Sequence, residues 1–592
     1  MKFIKKHWLG ITVSLLLTIM FGLMFFSNKG DSLIIDEIAH IPAGYSYITT
    51  GDYRLNPEHP PLIKDLAGLP LYLTGMKFPY EYWEANSPVV NNQWETGWRF
   101  VYRSGNDPEL MKVYSHIPLM LLSLVFGFFV FRWARELYGD KAGILALILF
   151  VFNVNIIAHS RFVATDMGIS FAFFVAMYAL YKYLQKPNWK TLLGATFMFA
   201  VVLITKFSAA VMVPTYGIVF LMILLKKNKE TAQNYLAKIN DPVWWKRIIP
   251  GILSFAFIGF VGLFFMWLFY LPHTMNMPAQ VQKDLIVESL PNGGILTDTL
   301  VKMSDNGLTK PLGQYFLGFT MVASHVEGGH DAFLMGQVSN KGWWYYYPVT
   351  IAIKTQIGLF ALLALVAIFW RKINHKDWFT EVYFFTLHAV LIFMGMTGSI
   401  NLGIRYMLPI YAFLFVFASK LATGFDIKQF ESLWKKSSKV KKDPWIRANT
   451  ILVAVFTAWY VLAAVFIYPY YLAYFNEFVG GYKNGYKYLT DSNTDWGQDV
   501  KRLASWVEKQ GIERIYVDVF PGSMPASYFL GDKMIEWHVQ NGQPKGWFAV
   551  SATFYQNSKL KKVANGGMDY AWLDSKKPVK VLGGSILIYD LR

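Results

Sequence analysis

The fold is decided by the stretch MKFIKKHWLGITVSLLLTIMFGLMFFSNKGDSLIIDEIAH, residues 1–40. A basic start precedes an apolar run over 8–26 that is long enough to cross the hydrocarbon core of a bilayer. The run is long for the apolar part of a signal peptide, and FFSNKGD lacks a small-x-small cleavage site. The stretch therefore predicts an uncleaved first membrane span, shortly before the acidic pair Asp36 and Glu37.

Apolar blocks of spanning length continue along the chain, in agreement with a composition that is 54% hydrophobic over 592 residues. The block 191–225 is too long for one crossing of a core about 30 Å thick, so we divide it at Lys206. The prediction is about eleven transmembrane helices. After 8–26 they cover 113–131, 142–158, 163–184, 191–205, 207–225, 249–271, 347–370, 379–399, 403–421 and 448–468.

The net charge of +17 is distributed in a way that favours a membrane protein over a nucleic-acid-binding one. Its basic residues cluster in short loops, which all fall on the cytoplasmic side if the N-terminus is cytoplasmic. The predicted transmembrane domain covers 1–470 and includes two large extracytoplasmic loops, 27–112 and 272–346. The absence of cysteine excludes disulfides, thiolate metal sites and a cysteine nucleophile.

The C-terminal part, 471–592, is predicted to be a small extracytoplasmic α/β domain. DVKRLASWVEKQ has the pattern of an amphipathic helix with Val500, Leu503, Trp506 and Val507 on one face. IERIYVDVF, GWFAVSATF and SILIYDL have the pattern of strands separated by Gly and Pro. The fold class is thus an all-α polytopic membrane protein with one small α/β domain.

The loop after the first span contains DEIAHIPAGYSYITTGDYRLNPEHPPLIKDLAGL, residues 36–69, which predicts two helices lying at the membrane surface. Pro60 and Pro61 open the second, with His59 near its cap. An acid at a helix start is commonly a cap, but Asp36 and Glu37 point in different directions and one acid would suffice. An acidic pair beside lipid is well placed for chemistry on a lipid-linked substrate.

The chemistry needs one base and several cations if the donor is a sugar on a polyprenyl phosphate. The phosphate leaves without a proton donor, so one carboxylate can activate the acceptor hydroxyl or amine. Cations must stabilise the departing phosphate. Four lie at the outer ends of predicted spans or on the second surface helix. Any single one is better explained as a snorkelling anchor, but four on the same face as an acidic pair favour a phosphate site. The four candidates are Lys64, Arg161, Lys206 and Arg405.

Other polar and aromatic residues are candidates for binding substrate. Asp166, just inside a span, pairs either with a cation or with a donor hydroxyl; a structural ion pair with Arg161 is the alternative. The aromatic run before Pro348 includes Tyr345 and Tyr346, and it is either an interfacial belt or a platform for a sugar or prenyl chain. The run 491–499 resembles half a calcium loop but lacks the required glycine, so we interpret it as a polar or substrate-facing turn. No metal site is predicted.

Six motifs carry a family resemblance: Asp36–Glu37, NPEHPPLIK, RFVATD, GWWYYYPVTIAIKT, NLGIRYMLPIY and YFNEFVGGYKNGYKYLTDSNTDWGQD. In these motifs the chain resembles bacterial phospholipid-carrier-dependent glycosyltransferases (glycosyltransferase family 39-like). These have the GT-C fold and are related to the protein O-mannosyltransferases and the lipid A aminoarabinose transferases.

The resemblance implies a polyprenyl-phosphate sugar donor and an inverting transfer at the outer face of the bacterial cytoplasmic membrane, with no obligatory metal or cofactor. It implies Asp36 as the catalytic base, with Glu37 helping to hold the acceptor. Because the chain lacks the β-trefoil domain of the eukaryotic mannosyltransferases, the acceptor stays open between lipid, glycan and protein. A transporter or flippase for a lipid-linked or anionic solute is the alternative function, and a non-catalytic scaffold is a third.

Overall fold

Helices dominate the computed structural model, which describes residues 2–84, 89–226, 236–426 and 444–592. The predicted loop 27–112 therefore lies partly outside the described residues, as do the connections between the predicted spans 207–225 and 249–271 and between 403–421 and 448–468. In the N-terminal part of the chain, five helices precede the second span. They are α1 Lys2–Ser27, α2 Ile35–Thr50, α3 Leu62–Leu73, α4 Tyr80–Glu84 and α5 Gln93–Tyr102.

The helices that follow form the bundle and the segment between its two halves. They are α6 Pro108–Tyr138, α7 Asp140–Val151, α8 Val154–Ser160, α9 Thr165–Gln185, α10 Trp189–Leu203, α11 Met212–Leu225, α12 Ile248–Thr274, α13 Ala279–Ser289, α14 Ile295–Met303, α15 Lys310–Gly328, α16 Tyr346–Lys354, α17 Ile357–Ile368, α18 Trp378–Thr397, α19 Leu408–Ala418 and α20 Pro444–Phe466. A short antiparallel hairpin, β1 Ala332–Leu334 and β2 Gln337–Ser339, lies between α15 and α16.

Each of the eleven predicted spans coincides with an apolar helix of the structure, although not every one is straight or long enough to cross a membrane alone. Among the described residues, eight helices are long and apolar enough to span a membrane, or ten if each of two bent pairs counts as one span. The bent pairs are α7 with α8, at 62°, and α16 with α17, at 102°. The predicted span at 191–205 is α10, whose 15 residues extend only about 22 Å. With each bent pair counted as one span, these helices and α10 cover the eleven predicted segments. A hydropathy window detects apolar length but not a break in direction, so the two bends were not predicted.

The side chain of Gln356, at the second break, forms hydrogen bonds with backbone groups at the first. The Gln356 amide nitrogen donates to the carbonyl of Phe152 at 3.0 Å, and its oxygen accepts from the backbone N–H of Val154 at 3.1 Å. Asn153 caps α8 and donates to the Tyr460 hydroxyl at 2.8 Å. Irregular backbone at this depth is tolerated because it is buried in protein and hydrogen-bonded.

The helix α2 is packed inside the protein, whereas the sequence predicted that it lies at the membrane surface. The helix α3 packs against α2 and keeps an exposed apolar side that includes Leu69 and Leu73. All residues of α2 from Glu37 to Tyr47 are buried. The helices meet where Gly44 faces Gly68, and a Cβ on Gly44 would lie 1.9 Å from the carbonyl oxygen of Lys64. Only glycine permits this approach. It fixes α2, and with it Asp36, against α3.

The C-terminal part is an α/β layer structure, in agreement with the predicted fold class. Its elements are α21 Val500–Lys509, β3 Ile515–Asp518, α22 Ser523–Leu530, β4 Met534–Glu536, β5 Trp547–Ser551, α23 Ala552–Asn557, β6 Lys580–Leu582 and β7 Ile586–Asp590. The five strands form one mixed sheet in the order β4-β3-β5-β7-β6, with parallel pairs around β3 and antiparallel pairs around β7.

Alternate residues of the sheet enter two apolar clusters, one on each face. Ala549 and Ile588 pack with Leu503 and Val507 of the predicted amphipathic helix. Phe548 and Leu587 belong to the second cluster, on the opposite face. Trp496, in contrast, belongs to the large apolar core of the helical bundle. The sheet therefore has its own core, while the segment that precedes it is built into the bundle.

Candidate active site

Asp36 lies in the first turn of α2 and is held from two sides. Its Oδ2 accepts a hydrogen bond from the Arg405 guanidinium at 2.9 Å. Its Oδ1 accepts one from the indole Nε1 of Trp496 at 3.2 Å. The side chain remains 25% exposed, so the carboxylate is fixed in position and still reachable by a substrate.

Four side chains of alternating charge form one group, which we call the charge row: Asp36, Arg405, Asp166 and Lys206. The Arg405 guanidinium lies 3.8 Å from Asp166 Oδ2, and Lys206 Nζ lies 2.7 Å from Asp166 Oδ1. The formal charges of the four cancel. Asp166 thus pairs with a cation, one of the two predicted kinds of partner, and this cation is Lys206 and not the alternative Arg161.

Aromatic rings flank both cations of the charge row. Arg405 lies over the ring of Trp496, 4.6 Å from its centroid, and Lys206 lies over Tyr406 at 4.7 Å. Cations over aromatic faces are stabilised without losing their charge. Neither Trp496 nor Tyr406 was singled out from the sequence. The signal available for Trp496 was its place as the one aromatic residue in the polar run 491–499.

The run 491–499 reaches Asp36 by pairing with the backbone before α2. Ile35 N–H donates to the Trp496 carbonyl at 3.2 Å, and Ser32 N–H donates to the Gln498 carbonyl at 2.8 Å. On its other side, Asn493 Oδ1 accepts from the backbone N–H of Ile404 at 3.0 Å. This run therefore joins the start of α2 to the turn that carries Arg405.

Glu37 is completely buried and has partners at both carboxylate oxygens. Oε2 accepts from the backbone N–H of Ile34 at 2.8 Å, while Oε1 accepts from that of Val163 at 2.7 Å and lies 2.5 Å from His116 Nε2. The predicted contact of Glu37 with an acceptor is not supported by this geometry. Its contacts instead anchor the start of α2 to the bundle.

Arg161 and Lys64 lie apart from the charge row, although the sequence predicted them beside the donor phosphate. Arg161 is buried, pairs with Asp31 at 2.7 Å and donates to the Ser27 hydroxyl at 3.1 Å. Lys64 is buried too, and it donates to the carbonyl oxygens of Asn56 and His59 and to the Tyr47 hydroxyl at 2.6–2.8 Å. The partners of both cations are local, although the Nε of Arg161 is buried without a hydrogen-bond partner among the described residues.

Lys64 is expected to make the stability of the protein depend on pH. Burial lowers the pKa of Lys64 from 10.5 to about 7. Between these values the unfolded chain binds more protons than the folded one, so the free energy of unfolding rises with pH by at most about 1.4 kcal/mol per unit. We expect Lys64→Met to reduce the increase in melting temperature of the detergent-solubilised protein between pH 7 and pH 9. The exposed control Lys302→Met should keep the full increase; equal increases in both variants would contradict this role of Lys64.

His40 and His59 form a perpendicular ring pair next to the cations, with centroids 5.0 Å apart. His40 Nδ1 is 2.8 Å from the Val163 carbonyl oxygen. Burial lowers the pKa of His59 well below its usual value, and the charges of His40 and Lys206 act in the same direction. Among the described residues, His59 Nδ1 is buried without a hydrogen-bond partner. A neutral imidazole with an unused nitrogen is suited to bind a substrate hydroxyl.

Tyr345 and Tyr346 differ in their surroundings. The Tyr346 hydroxyl is buried and accepts from Asn493 Nδ2 at 3.1 Å, so it supports the residue that holds the Arg405 turn. Tyr345 is half-buried at the start of α16. Of the predicted site residues, the structure brings together Asp36, Asp166, Lys206 and Arg405, with His59 nearby; Glu37, Tyr346, Arg161 and Lys64 have other contacts.

The sequence of the bundle matches a known family. Residues 113–239 match the model of the dolichyl-phosphate-mannose-protein mannosyltransferases. This match over part of the bundle agrees with the predicted resemblance to membrane glycosyltransferases. The matched segment contains Asp166 and Lys206 of the charge row but neither Asp36 nor Arg405. No curated protein sequence matches the chain.

Two solved structures are similar over most of the chain. ArnT from Cupriavidus metallidurans, solved with undecaprenyl phosphate, is 12% identical with a TM-score of 0.44, and the match covers 98% of each chain. The oligosaccharyltransferase AglB from Archaeoglobus fulgidus, solved with an inhibitory peptide and a dolichol-phosphate, is 10% identical with a TM-score of 0.48. That match covers 96% of this chain and 71% of AglB.

Proposed function

We propose that this glycosyltransferase moves a sugar from a polyprenyl-phosphate donor to an acceptor hydroxyl or amine, with inversion at the anomeric carbon. The observation that carries the proposal is the charge row, in which a partly exposed carboxylate lies 2.9 Å from a fixed guanidinium. A carboxylate next to a cation is what this reaction needs, because a proton is removed from the acceptor while negative charge develops on the phosphate.

Asp36 acts as the general base in this proposal. The acceptor oxygen or nitrogen attacks the anomeric carbon, its proton passes to Asp36, and the bond from that carbon to the phosphate oxygen breaks. The electron pair leaves with the polyprenyl phosphate. Trp496 and Arg405 each donate to one oxygen of Asp36, which fixes the direction of the carboxylate and limits the motion needed before proton transfer.

Arg405 and Lys206 receive the departing phosphate. The two cations share Asp166, which is 2% exposed and fixes their separation. With the donor bound, the phosphate adds negative charge beside cations that the protein has already ordered. The guanidinium can make bidentate hydrogen bonds to phosphate, whereas the ammonium acts as a point charge. In this reading Asp166 positions the cations and His59 binds a hydroxyl of the substrate.

The positions of the short basic loops indicate on which side of the membrane the reaction takes place. We place it at the extracytoplasmic face of a bacterial cytoplasmic membrane, with the N-terminus in the cytoplasm, because this orientation puts the short basic loops inside. The C-terminal domain, 471–592, then lies outside the cell with the acceptor. The lipid chain of the donor remains in the bilayer.

Trp496→Phe tests how far catalysis depends on the orientation of Asp36. Phenylalanine keeps an aromatic ring near Arg405 but loses the N–H that donates to Asp36. We expect the maximal transfer rate to fall about tenfold, the effect of losing one hydrogen bond to a charged group, with a smaller change in donor KM. Trp459→Phe is the matched control, since its indole donates to the Glu477 carboxylate at 3.1 Å away from the site. Equal rates in the two variants would argue against a role for the indole N–H.

The proposed activity is tested with the purified chain in liposomes. The substrate is a polyprenyl-phosphate hexose labelled in the sugar, supplied with envelope extract as acceptor. We expect release of polyprenyl phosphate together with label in a new glycosidic bond. Movement of the labelled lipid between leaflets without bond formation would support the alternative, a transporter or flippase, and would overturn the transferase.

A further inference from the structure

A polar cavity of about 560 Å³ lies where the C-terminal domain meets the hairpin β1–β2 and the start of the run 491–499. Its volume is within the range of about 300–1,000 Å³ of small-molecule sites. The charge row does not line it. The salt bridge from Lys561 to Asp331, with Nζ and Oδ2 2.8 Å apart, lines the cavity on the hairpin side.

The lining combines oxygen acceptors with aromatic rings. Asp518 accepts from the Tyr570 hydroxyl at 2.5 Å, and its other oxygen faces His538 at 3.9 Å. Burial raises the pKa of Asp518 to about 6. The rings of Phe520 and Phe554 stand perpendicular to each other with centroids 5.8 Å apart.

The amide oxygen of Asn557, one of the lining residues, has no hydrogen-bond donor among the described residues. Asn557, at the end of α23, has its Oδ1 buried, and within the described parts of the chain nothing donates to it. A buried amide oxygen without a donor costs free energy unless a bound molecule or water satisfies it. This oxygen therefore points to a ligand that carries hydroxyl or N–H groups.

From these contacts we infer that the cavity is the binding site for a glycan portion of the acceptor, an inference that deepens the proposed function and rests on it. Carboxylate and amide oxygens accept from sugar hydroxyls, and aromatic rings pack against the C–H faces of pyranoses. The aspartates disfavour a phosphate or another anion. The polar lining disfavours an acyl chain.

The cavity is linked to the charge row through the run 491–499. Asp491 lines the cavity. The next residue, Ser492, donates to the carbonyl of Leu402 at 2.5 Å, just before the turn that carries Arg405. Trp496, further along the same run, donates to Asp36. A glycan held in the cavity is thereby held by the segment that orients the base.

The experiment is saturation-transfer NMR on the full chain in nanodiscs, with maltotriose, mannotriose and chitotriose as probes and the peptide Ser-Gly-Ser-Gly as the comparison. We expect at least one trisaccharide to bind the wild type. Its Kd should rise about fivefold or more in Asn557→Ala and in His538→Ala, as expected for one lost hydrogen bond. The exposed amide control Gln543→Ala, outside the cavity, should leave the Kd unchanged.

Absence of trisaccharide binding, binding that both cavity variants leave unaltered, or binding of the peptide alone would each overturn the inference. His538 has an exposed side chain, so its variant is expected to fold even if Asn557→Ala does not. Because the readout is binding, it is independent of turnover. Trisaccharide binding without sugar transfer in the liposome assay would refute the transferase proposal and leave a glycan-binding cavity. Sugar transfer without trisaccharide binding would refute the glycan site alone.

Discussion

Replacement of Asp36 by asparagine is expected to lower the rate of sugar transfer by about 10²–10⁴-fold, the range found for loss of a general base. Asparagine has nearly the same shape and its amide oxygen can still accept from either Arg405 or Trp496, but it cannot take the acceptor proton. Insertion into the membrane and thermal stability should change little. The measurement is the initial rate of polyprenyl-phosphate release with donor and acceptor at saturating concentrations.

Asp140→Asn is the matched control for this variant. Asp140 also lies in the first turn of a helix and pairs with an arginine, Arg135, at 2.6 Å, but both side chains are exposed. The neighbouring Glu136 contacts Lys182 near the C-terminal end of α9, the opposite end from Asp166. Its variant should transfer sugar at the wild-type rate. A wild-type rate in Asp36→Asn would remove the base assignment.

Replacement of Arg405 by methionine has the second largest expected effect, a fall of about 10²–10³-fold in the maximal rate, as for the loss of one preorganised donor to a developing oxyanion. The variant loses both the bidentate contact with the phosphate and the partner of Asp36. Arg405→Lys keeps the charge but not the planar fork, so we expect an intermediate rate. Initial rates and donor KM values of both variants provide the test.

Arg135→Met is the corresponding control, because it removes an exposed arginine from an aspartate pair at a distant position. It should leave rate and KM unchanged. If Arg405→Met transferred sugar as fast as Arg135→Met, Arg405 would have no part in stabilising the leaving phosphate. If Arg405→Lys matched the wild type, charge alone would explain the role of this residue.

Apolar length and the positions of charged residues made the membrane class and part of the site predictable from the sequence. Lys206 and Arg405 are cations at the ends of apolar blocks, and Asp166 begins another. Charges are costly inside a bilayer and therefore gather at span ends. The predicted topology puts Lys206, Arg405 and Asp166 at the same membrane face as Asp36, and the structure brings the four together. The breaks at Asn153 and Gln356 interrupt direction without interrupting hydropathy, so the sequence predicted the spans that contain them but not the bends.

Contacts between residues that are far apart in the sequence could not be predicted. Trp496 meets Asp36 across 460 residues, and the pairing depends on backbone hydrogen bonds that have no sequence signature. Arg161 has the same sequence context as Arg405, a cation at a span end, but it meets Asp31, which also pairs with Arg502 of the C-terminal domain. Lys64 is occupied by carbonyl oxygens from its own loop. Which cations remain available for a phosphate is decided by these partners.

The central claim is that one carboxylate and two cations share a single phosphosugar but perform different tasks. The most direct test is the Kd of undecaprenyl phosphate, without sugar, for Asp36→Asn and Arg405→Met measured side by side. We expect Asp36→Asn, which frees Arg405 from a charged partner, to bind the carrier at least as tightly as the wild type. Arg405→Met should bind it at least about tenfold more weakly. An equal loss of binding in both variants, or no loss in Arg405→Met, would contradict the account.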